Sequence, residues 1–246
     1  QQILSIRSVS SSPLSIAIVI QEDLASNFNL QINDIKEFIL NLPKGTRVMV
    51  AYLRSGAMDV RQRFTEDLAS AASSLRIVSG SAAFAPRSPY DGVAEVVGRF
   101  EALPAGRRAI LLFSDGLDTT QGMNLASVSQ SFDLDRAILQ AQRKSVAVYS
   151  IYSPTQLTEN GDTILGLASQ GALEKLSEAT GGRSFSHGSI APLNYLPFFR
   201  DLNLSLSRQF SLTYLSTHMK KGYHKVEVTS TNPEVKIEHP KGYYFR

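Results

Sequence analysis

The chain has 246 residues, of which 43% are hydrophobic and 19% charged, with a formal net charge of +3 and no cysteine. That length supports one sizeable domain, or one domain with an appendage. It lacks disulfides, thiolate metal sites and cysteine nucleophiles, no apolar run approaches the roughly 18 residues of a bilayer-spanning helix, and its basic residues are scattered apart from a mild excess after Lys220, which argues against nucleic-acid binding.

The chain opens at Gln1 with the polar stretch "QQILSIRSVSSS". We read residues 1–12 as a lead left by processing, with any secretory signal upstream. Ile16–Ile20 is predicted to be the first buried strand, emptying at Gln21 into a loop. Asn29–Leu42 follows as an amphipathic helix, stopped by Pro43 and Gly45. "RVMVAYL", Arg47–Leu53, is apolar in both directions, as an interior strand should be. Met58–Phe64 alternates after a short turn and is expected to pair antiparallel at the sheet edge. Thr65 is predicted to cap a helix from Glu66 to about Leu75.

A Ser-, Ala- and Gly-rich loop then leads to a helix over Tyr90–Leu103. The strand Ala109–Asp115, a long loop, the helix Leu134–Lys144 and the strand Val146–Ser153 come next. After the loop Pro154–Gly166, a helix around Gly171–Thr180 ends in "TGG", where Gly181 or Gly182 can take the left-handed conformation. "RSFSHG" is the last short strand of the series. Strands alternating with helices imply a mostly parallel sheet with right-handed crossovers and helices on both faces. Beyond a helix near Asn194–Ser207, the segments "QFSLTYLS", "HKVEVTST" and "VKIEHP" follow without helices, predicting an antiparallel tail that packs on the sheet or extends it. There is no internal repeat and no low-complexity linker.

Several strings in this order resemble the von Willebrand factor A domain, and more closely a bacterial family of related proteins of unknown role. They are "DIKEFILNLPKGTRVMVAYLRSG", "SPYDGV", "GRRAILLFSDGLD", "AILQAQRKSVAVYSIYSP", "LEKLSEATGGRSF" and the ending "LSRQFSLTYL…HKVEVTS…EVKIEHPKGYY". The resemblance implies an α/β, Rossmann-like sheet, mostly parallel with one antiparallel edge strand, helices on both faces and a C-terminal antiparallel β extension. We divide the chain accordingly into the lead 1–12, a domain over 13–190, and a helix plus β extension over 191–246 packed on it.

Domains of this kind carry a metal-ion-dependent adhesion site at the C-terminal edge of the sheet. The resemblance describes it as an Asp-x-Ser-x-Ser first loop, a Thr from a second loop and the Asp of a "DG" turn from a third. Carboxylates and hydroxyls together suit Mg²⁺ or Mn²⁺ and leave one position open for a partner's carboxylate. In this chain the first-loop positions are Gln21, Asp23 and Ala25, Arg87 or Ser88 falls where the Thr would be, and only Asp115 matches. A variant site on Asp115, Asp23 and Ser88, holding Mg²⁺, Mn²⁺ or Ca²⁺, is one expectation. The other is that no cofactor is required. In that reading Asp115 opens a Ser-Asp-Gly turn, Glu22 and Asp23 are solvated loop acids near a helix N-terminus, and Ser88 is a helix cap followed by Pro89.

Enzymatic signals are poor. His187, His218, His224 and His239 show no short metal-ligand spacing. Gly-x-Ser-x-Gly, the phosphate-binding loop and the strand-linked Gly-x-Gly-x-x-Gly are all missing. Tyr52, Tyr149 and Tyr152 fall in strands, and Phe198 and Phe199 are expected to pack the last helix on the sheet. The chain is therefore expected to be a non-enzymatic, extracytoplasmic protein-interaction module. It would bind an unidentified protein through Gln21, Glu22, Asp23, Arg87, Ser88, Asp115 and Asp118, without strict metal dependence. A carboxylate hydrolase on Glu22, Asp23 and Asp115 is the alternative from another class. The unpaired edge of the β extension leaves a homo-oligomer open.

Overall fold

A computed structural model describes residues 1–9, 12–54, 57–80, 88–120, 122, 131–159, 163–186, 194–217 and 220–245. Its centre is a six-stranded sheet. In chain order the strands are β2 (Leu14–Gln21), β3 (Arg47–Arg54), β4 (Ala57–Thr65), β5 (Arg107–Ser114), β6 (Val146–Tyr152) and β7 (Ser184–Phe185). In space the order is β4-β3-β2-β5-β6-β7. All neighbours run parallel except β4, which returns antiparallel along β3. The sheet is thus mixed and mostly parallel, with the antiparallel strand at its edge as the alternation of Met58–Phe64 predicts.

The strands are apolar in both directions because both faces are covered. Every residue of β2 is buried. Ile16, Ile18 and Ile20 point to one face, where they join Val48, Val50, Leu111 and Phe113. Ala17 and Val19 point to the other, with Met49, Ala51, Ile110 and Leu112. The first face is covered by α1 (Ile32–Leu40), α2 (Leu68–Ser73) and α7 (Leu196–Ser207), the second by α3 (Pro89–Arg99), α4 (Phe132–Arg143) and α6 (Thr163–Thr180). Phe199 of α7 stacks on Phe38 of α1 at 4.7 Å between ring centres, which fixes the last helix to the core. A single helical turn, α5 (Gln156–Glu159), precedes α6.

Local chemistry moved several boundaries. Asp67, not Thr65, caps α2 by accepting from the Ser70 N–H at 2.9 Å, while Thr65 stays in β4 opposite Val48. The helix α6 begins at Thr163 rather than near Gly171. Its internal Gly166 lowers helix propensity, and a Cβ there would meet only ordinary contacts, the Tyr152 hydroxyl at 3.6 Å among them. Gly181 takes the left-handed conformation (φ +83°) after α6, and a Cβ there would also press on Pro240. Gly182 answers to a different constraint, since a Cβ would lie 2.0 Å from the Val148 carbonyl oxygen.

The stretch read as a polar lead contains a strand, β1 (Gln2–Ser8), paired antiparallel with β8 (Phe210–Leu215) in a separate two-stranded ribbon. Its near-complete exposure hides it from a burial pattern. In the tail, β9 (Gly222–Lys225) pairs with β10 (Gly242–Phe245), so "HKVEVTST" only begins as strand and "VKIEHP" is not one. That segment is instead pinned to the domain: Arg183 Nε donates to Glu238 at 2.8 Å, and the Lys241 N–H to the Ala179 carbonyl at 3.2 Å.

Buried tyrosines set the alkaline limit. Burial pushes Tyr149 up to about 12, and raises Tyr195 further from the ordinary value near 10. Their neutral forms stabilise the fold fully below pH 10, and that contribution is lost as pH rises from there through their folded values. Equilibrium unfolding at a series of pH values is expected to show no tyrosine-linked loss up to pH 10 and falling stability above it. In urea unfolding, Gly182→Ala is expected to cost about 1–3 kcal/mol through backbone displacement. Gly98→Ala, facing open space on α3, should gain up to about 1 kcal/mol from helix propensity.

Candidate functional site

Strands β2, β3, β5 and β6 all end at the same edge of the sheet, so Gln21, Arg54, Ser114 and Tyr152 lie along one rim. Loops leaving this rim bring together the polar residues that the sequence singles out. In open α/β sheets this carboxyl edge is where ligands bind.

The Gln21 carboxamide stands at the centre. Its Oε1 accepts from the Ser114 hydroxyl at 2.6 Å and the Asp115 N–H at 3.3 Å, and its Nε2 donates to Asp23 Oδ1 at 2.9 Å. A carboxamide does here what a carboxylate could not, accepting on one side and donating on the other. Asp115 is fully buried, and both its oxygens are engaged: Oδ1 accepts from the Leu117 N–H at 3.0 Å and Oδ2 from the Thr155 hydroxyl at 2.8 Å. The Gly116 N–H donates to Ser114 Oγ at 2.9 Å, and Gly116 sits at φ +72°, closing the predicted Ser-Asp-Gly turn. Its left-handed conformation and the Ser169 carbonyl, 2.6 Å from where a Cβ would stand, both require glycine.

Asp118 is buried too. Its Oδ1 accepts from the Thr120 N–H at 3.0 Å and hydroxyl at 2.6 Å, and its Oδ2 from the hydroxyls of Ser131 and of Ser88 at 3.3 Å. Ser88 therefore departs from the predicted cap role, since its hydroxyl turns to Asp118 and makes no capping bond to α3. Ser131 does cap α4, accepting from the Leu134 N–H at 3.2 Å. Beneath them the Tyr90 hydroxyl donates to the Gly116 carbonyl at 2.7 Å. Burial first, and then the charges of Asp115 and Asp118, hold that phenol neutral far above its ordinary range.

Glu22 and Asp23 are not the solvated loop acids the sequence suggests, for both are buried. Glu22 accepts from Arg76 Nη1 at 2.9 Å, with Arg54 3.8 Å from its other oxygen. Arg76 in turn lies 4.4 Å over the Tyr52 ring, whose hydroxyl donates to the Arg76 carbonyl at 2.7 Å and accepts from the Arg76 N–H at 2.8 Å. The bond to Glu22 raises the guanidinium's already high pKa. Arg87 lies outside the described residues, as do His187 and His218. His224 and His239 lie in the tail, away from this rim, bonded to local backbone groups.

The structure thus gathers Gln21, Asp23 and Asp115 into one network, places Ser88 on Asp118, and separates Glu22 into an arginine pair. Thr155, Ser114, Tyr90 and Arg76 are site residues that sequence reasoning missed. Ser114 and Thr155 were open to discovery as polar residues just at or beyond apolar strand ends, whereas nothing in the sequence marks Tyr90 or Arg76.

The residues do not fit the octahedral ion that adhesion-type sites hold. A neutral amide and Ala25 stand at two first-loop positions, and the oxygens of Asp115 and Asp118 already accept from protein donors. Among the described residues no group of three or more His, Asp or Glu side chains could hold a metal ion.

No family model matches the chain, and no curated protein matches it. Solved structures do. An aerotolerance-related membrane protein from Bacteroides fragilis superposes with TM-score 0.55 at 12% identity, covering 80% of this chain and 100% of that one. The conserved hypothetical protein BatB from Bacteroides thetaiotaomicron gives 0.54 at 14%, over 79% and 97%. A von Willebrand factor type A structure from Catenulispora acidiphila gives 0.54 at 16%, over 84% of this chain and 50% of that one. An open α/β sheet with a polar carboxyl edge defines the class. Its strand order and these likenesses make it a von Willebrand factor A fold.

Gln21→Leu removes both halves of the central amide and strands Ser114 and Asp23. Urea unfolding is expected to show a loss of about 1–3 kcal/mol, the usual cost of unsatisfied buried polar groups.

Proposed function

We propose that this chain is a non-enzymatic protein-interaction module of adhesion or scaffold type, working outside the cytoplasm and binding a protein partner through the loops at the carboxyl edge of its sheet. The observation that carries the reading is the Gln21 network. Protein donors satisfy both oxygens of Asp115 and of Asp118, which supports reading the edge as a frame that needs no cation to hold it. The buried residues Gln21, Asp23, Ser88, Asp115 and Asp118 shape that frame, while Ser26, Asn27, Ser79, Thr120 and Gln156 are exposed around it. Long loops on a rigid scaffold are where binding specificity resides.

The same geometry weighs against a hydrolase. A general acid or base needs a carboxylate free to move a proton, and Glu22 is committed to Arg76 while Asp115 is committed to Leu117 and Thr155. The extracytoplasmic reading is supported by the membrane protein among the structural likenesses. Among the described residues no helix is long and apolar enough to cross a membrane.

The decisive experiment is thermal unfolding in EDTA and then in millimolar Mg²⁺, Mn²⁺ or Ca²⁺, alongside Asp115→Ala. A cation at about a hundred times its dissociation constant would add about 2.7 kcal/mol, several degrees at this size. The expected outcome is no shift with any ion. A shift abolished by Asp115→Ala would establish the cation-dependent alternative, in which Asp115, Asp23 and Ser88 rearrange around the metal to capture an acidic partner group.

The β extension is the surface we assign to a second copy of the chain. Strand β8 is free of charge and proline, and the ribbon exposes Ile3, Leu4, Ile6, Phe210 and Leu215 by more than half. Free strand edges normally carry such guards. Light scattering on the purified chain is expected to show a dimer that Ile6→Lys converts to monomer; monomer at every concentration would remove this assignment.

A further inference from the structure

The carboxyl edge carries apolar side chains as well as polar ones. Among the described residues the three most exposed large hydrophobics are Phe132 at 83%, Leu30 at 76% and Ile77 at 69%. All three stand at this edge: Leu30 in the turn between β2 and α1, Ile77 in the segment after α2 that brings Arg76 to Glu22, and Phe132 at the start of α4. A single exposed aliphatic residue is ordinary, so the telling point is how Leu30 and Ile77 are held.

Ile77 is presented by backbone fixed on both sides. Before it, the Tyr52 hydroxyl accepts from the Arg76 N–H at 2.8 Å and donates to the Arg76 carbonyl at 2.7 Å. After it, the Asn29 side chain accepts from the Val78 N–H at 2.8 Å and donates to the Val78 carbonyl at 3.1 Å. Leu30 follows Asn29 directly, so the same clamp holds both aliphatic residues. Phe28 and Val78 on either side of the clamp are buried, while Leu30 and Ile77 are left to water. A side chain on a backbone already in place loses little conformational freedom when a partner covers it.

The outermost charge beside this clamp is positive. Arg76 and Arg54 share the Glu22 carboxylate at 2.9 and 3.8 Å, and Asp59 meets Arg76 at 3.4 Å and Arg61 at 3.7 Å. Three guanidinium groups therefore face two acids. Arg54 has the longest of these contacts, and its side chain is 76% exposed where that of Glu22 is 12% exposed. Its guanidinium can still take a carboxylate from outside, in the paired geometry that suits the two groups.

We propose that Leu30, Ile77 and Arg54 form the patch where the carboxyl edge takes its protein partner, and that the partner offers an acidic segment with apolar side chains beside its carboxylates. The apolar side chains cover Leu30 and Ile77, and a carboxylate pairs with Arg54. This rests on reading the edge as a protein-binding surface. It differs from capture of an acid by a metal ion, because the receiving charge belongs to the chain itself.

The test is an NMR titration of the ¹⁵N-labelled chain, in EDTA, with the blocked peptide acetyl-Leu-Glu-Leu-Glu-Leu-amide. The controls are the same peptide with lysine for glutamate and with serine for leucine. Saturable shifts at the Leu30, Ile77 and Ser79 amides are expected with half-saturation of about 1 mM or below, and weaker binding of both controls. Ile77→Ser and Leu30→Ser should each weaken binding about tenfold through lost apolar burial. Arg54→Gln should weaken it about threefold, the scale of an exposed ion pair, and remove the preference over the lysine peptide. All three positions are exposed, so melting points should stay near that of the parent chain. Equal binding of either control, shifts that rise linearly, or binding that survives Ile77→Ser and Arg54→Gln would overturn the proposal. Saturable shifts confined to Phe132 and its neighbours would overturn this patch and leave the edge as the interface. Saturable shifts found only on the β1–β8 ribbon would count against the edge as well.

Discussion

A parallel sheet covered on both faces has room for polar chemistry only at its ends. Between Leu14 and Gln21 nearly every side chain is spoken for by an apolar layer above or below the sheet, and a polar group placed there without a partner would cost several kcal/mol. The chain meets this constraint by switching abruptly from apolar to hydrogen-bonding residues where each strand stops: Gln21 on β2, Ser114 on β5, and Ser153 and Thr155 beyond β6. Each strand delivers its last polar residue to the same rim, in register with its neighbours.

At that rim the chemistry is one of mutual satisfaction. Gln21 faces a hydroxyl, an N–H and a carboxylate, and only a group that both accepts and donates can serve all of them. A carboxylate in its place would repel Asp23 and Asp115 unless a cation stood among them. The amide carries no charge and supplies a donor to Asp23. Asp118 makes the same point, with four protein donors arranged around one carboxylate. Asp115 and Asp118 are buried, which is tolerable because both oxygens of each accept from protein donors.

The strands and the covering helices were legible in the sequence because they obey simple patterns: β2, β3, β5 and β6 are mostly apolar runs, with Ser15 and Ser150 as interior exceptions, and α1, α3 and α4 carry apolar residues at helical spacing. What failed did so for identifiable reasons. Strand β1 is exposed on nearly every residue, so no alternation reveals it, and its partner lies at the other end of the chain. The start of α6 was hidden by Gly166, whose low helix propensity does not stop the helix from starting at Thr163. "VKIEHP" has the composition of a strand but spends its interactions on Arg183 and on the end of α6. In the site, the positions of Gln21, Asp115 and Ser88 were legible from order and spacing. Their partners were not, because the Ser88–Asp118 and Thr155–Asp115 contacts join segments that are distant in sequence, and the burial of Glu22 depends on Arg76 arriving from another loop.

Strand β1 has a kinetic meaning as well. Gln2 pairs with Leu215, about two hundred residues away, so during synthesis β1 must wait, extended and unpaired, while the sheet and its covering helices assemble behind it. Contacts of such long range form late, because the loop they close is entropically expensive until the intervening chain is already compact. The ribbon is therefore a late joint, one that cannot close before residues 210–215 have been made. Until it closes, Ile3, Leu4 and Ile6 belong to an apolar strand without its partner, the kind of edge another strand can capture.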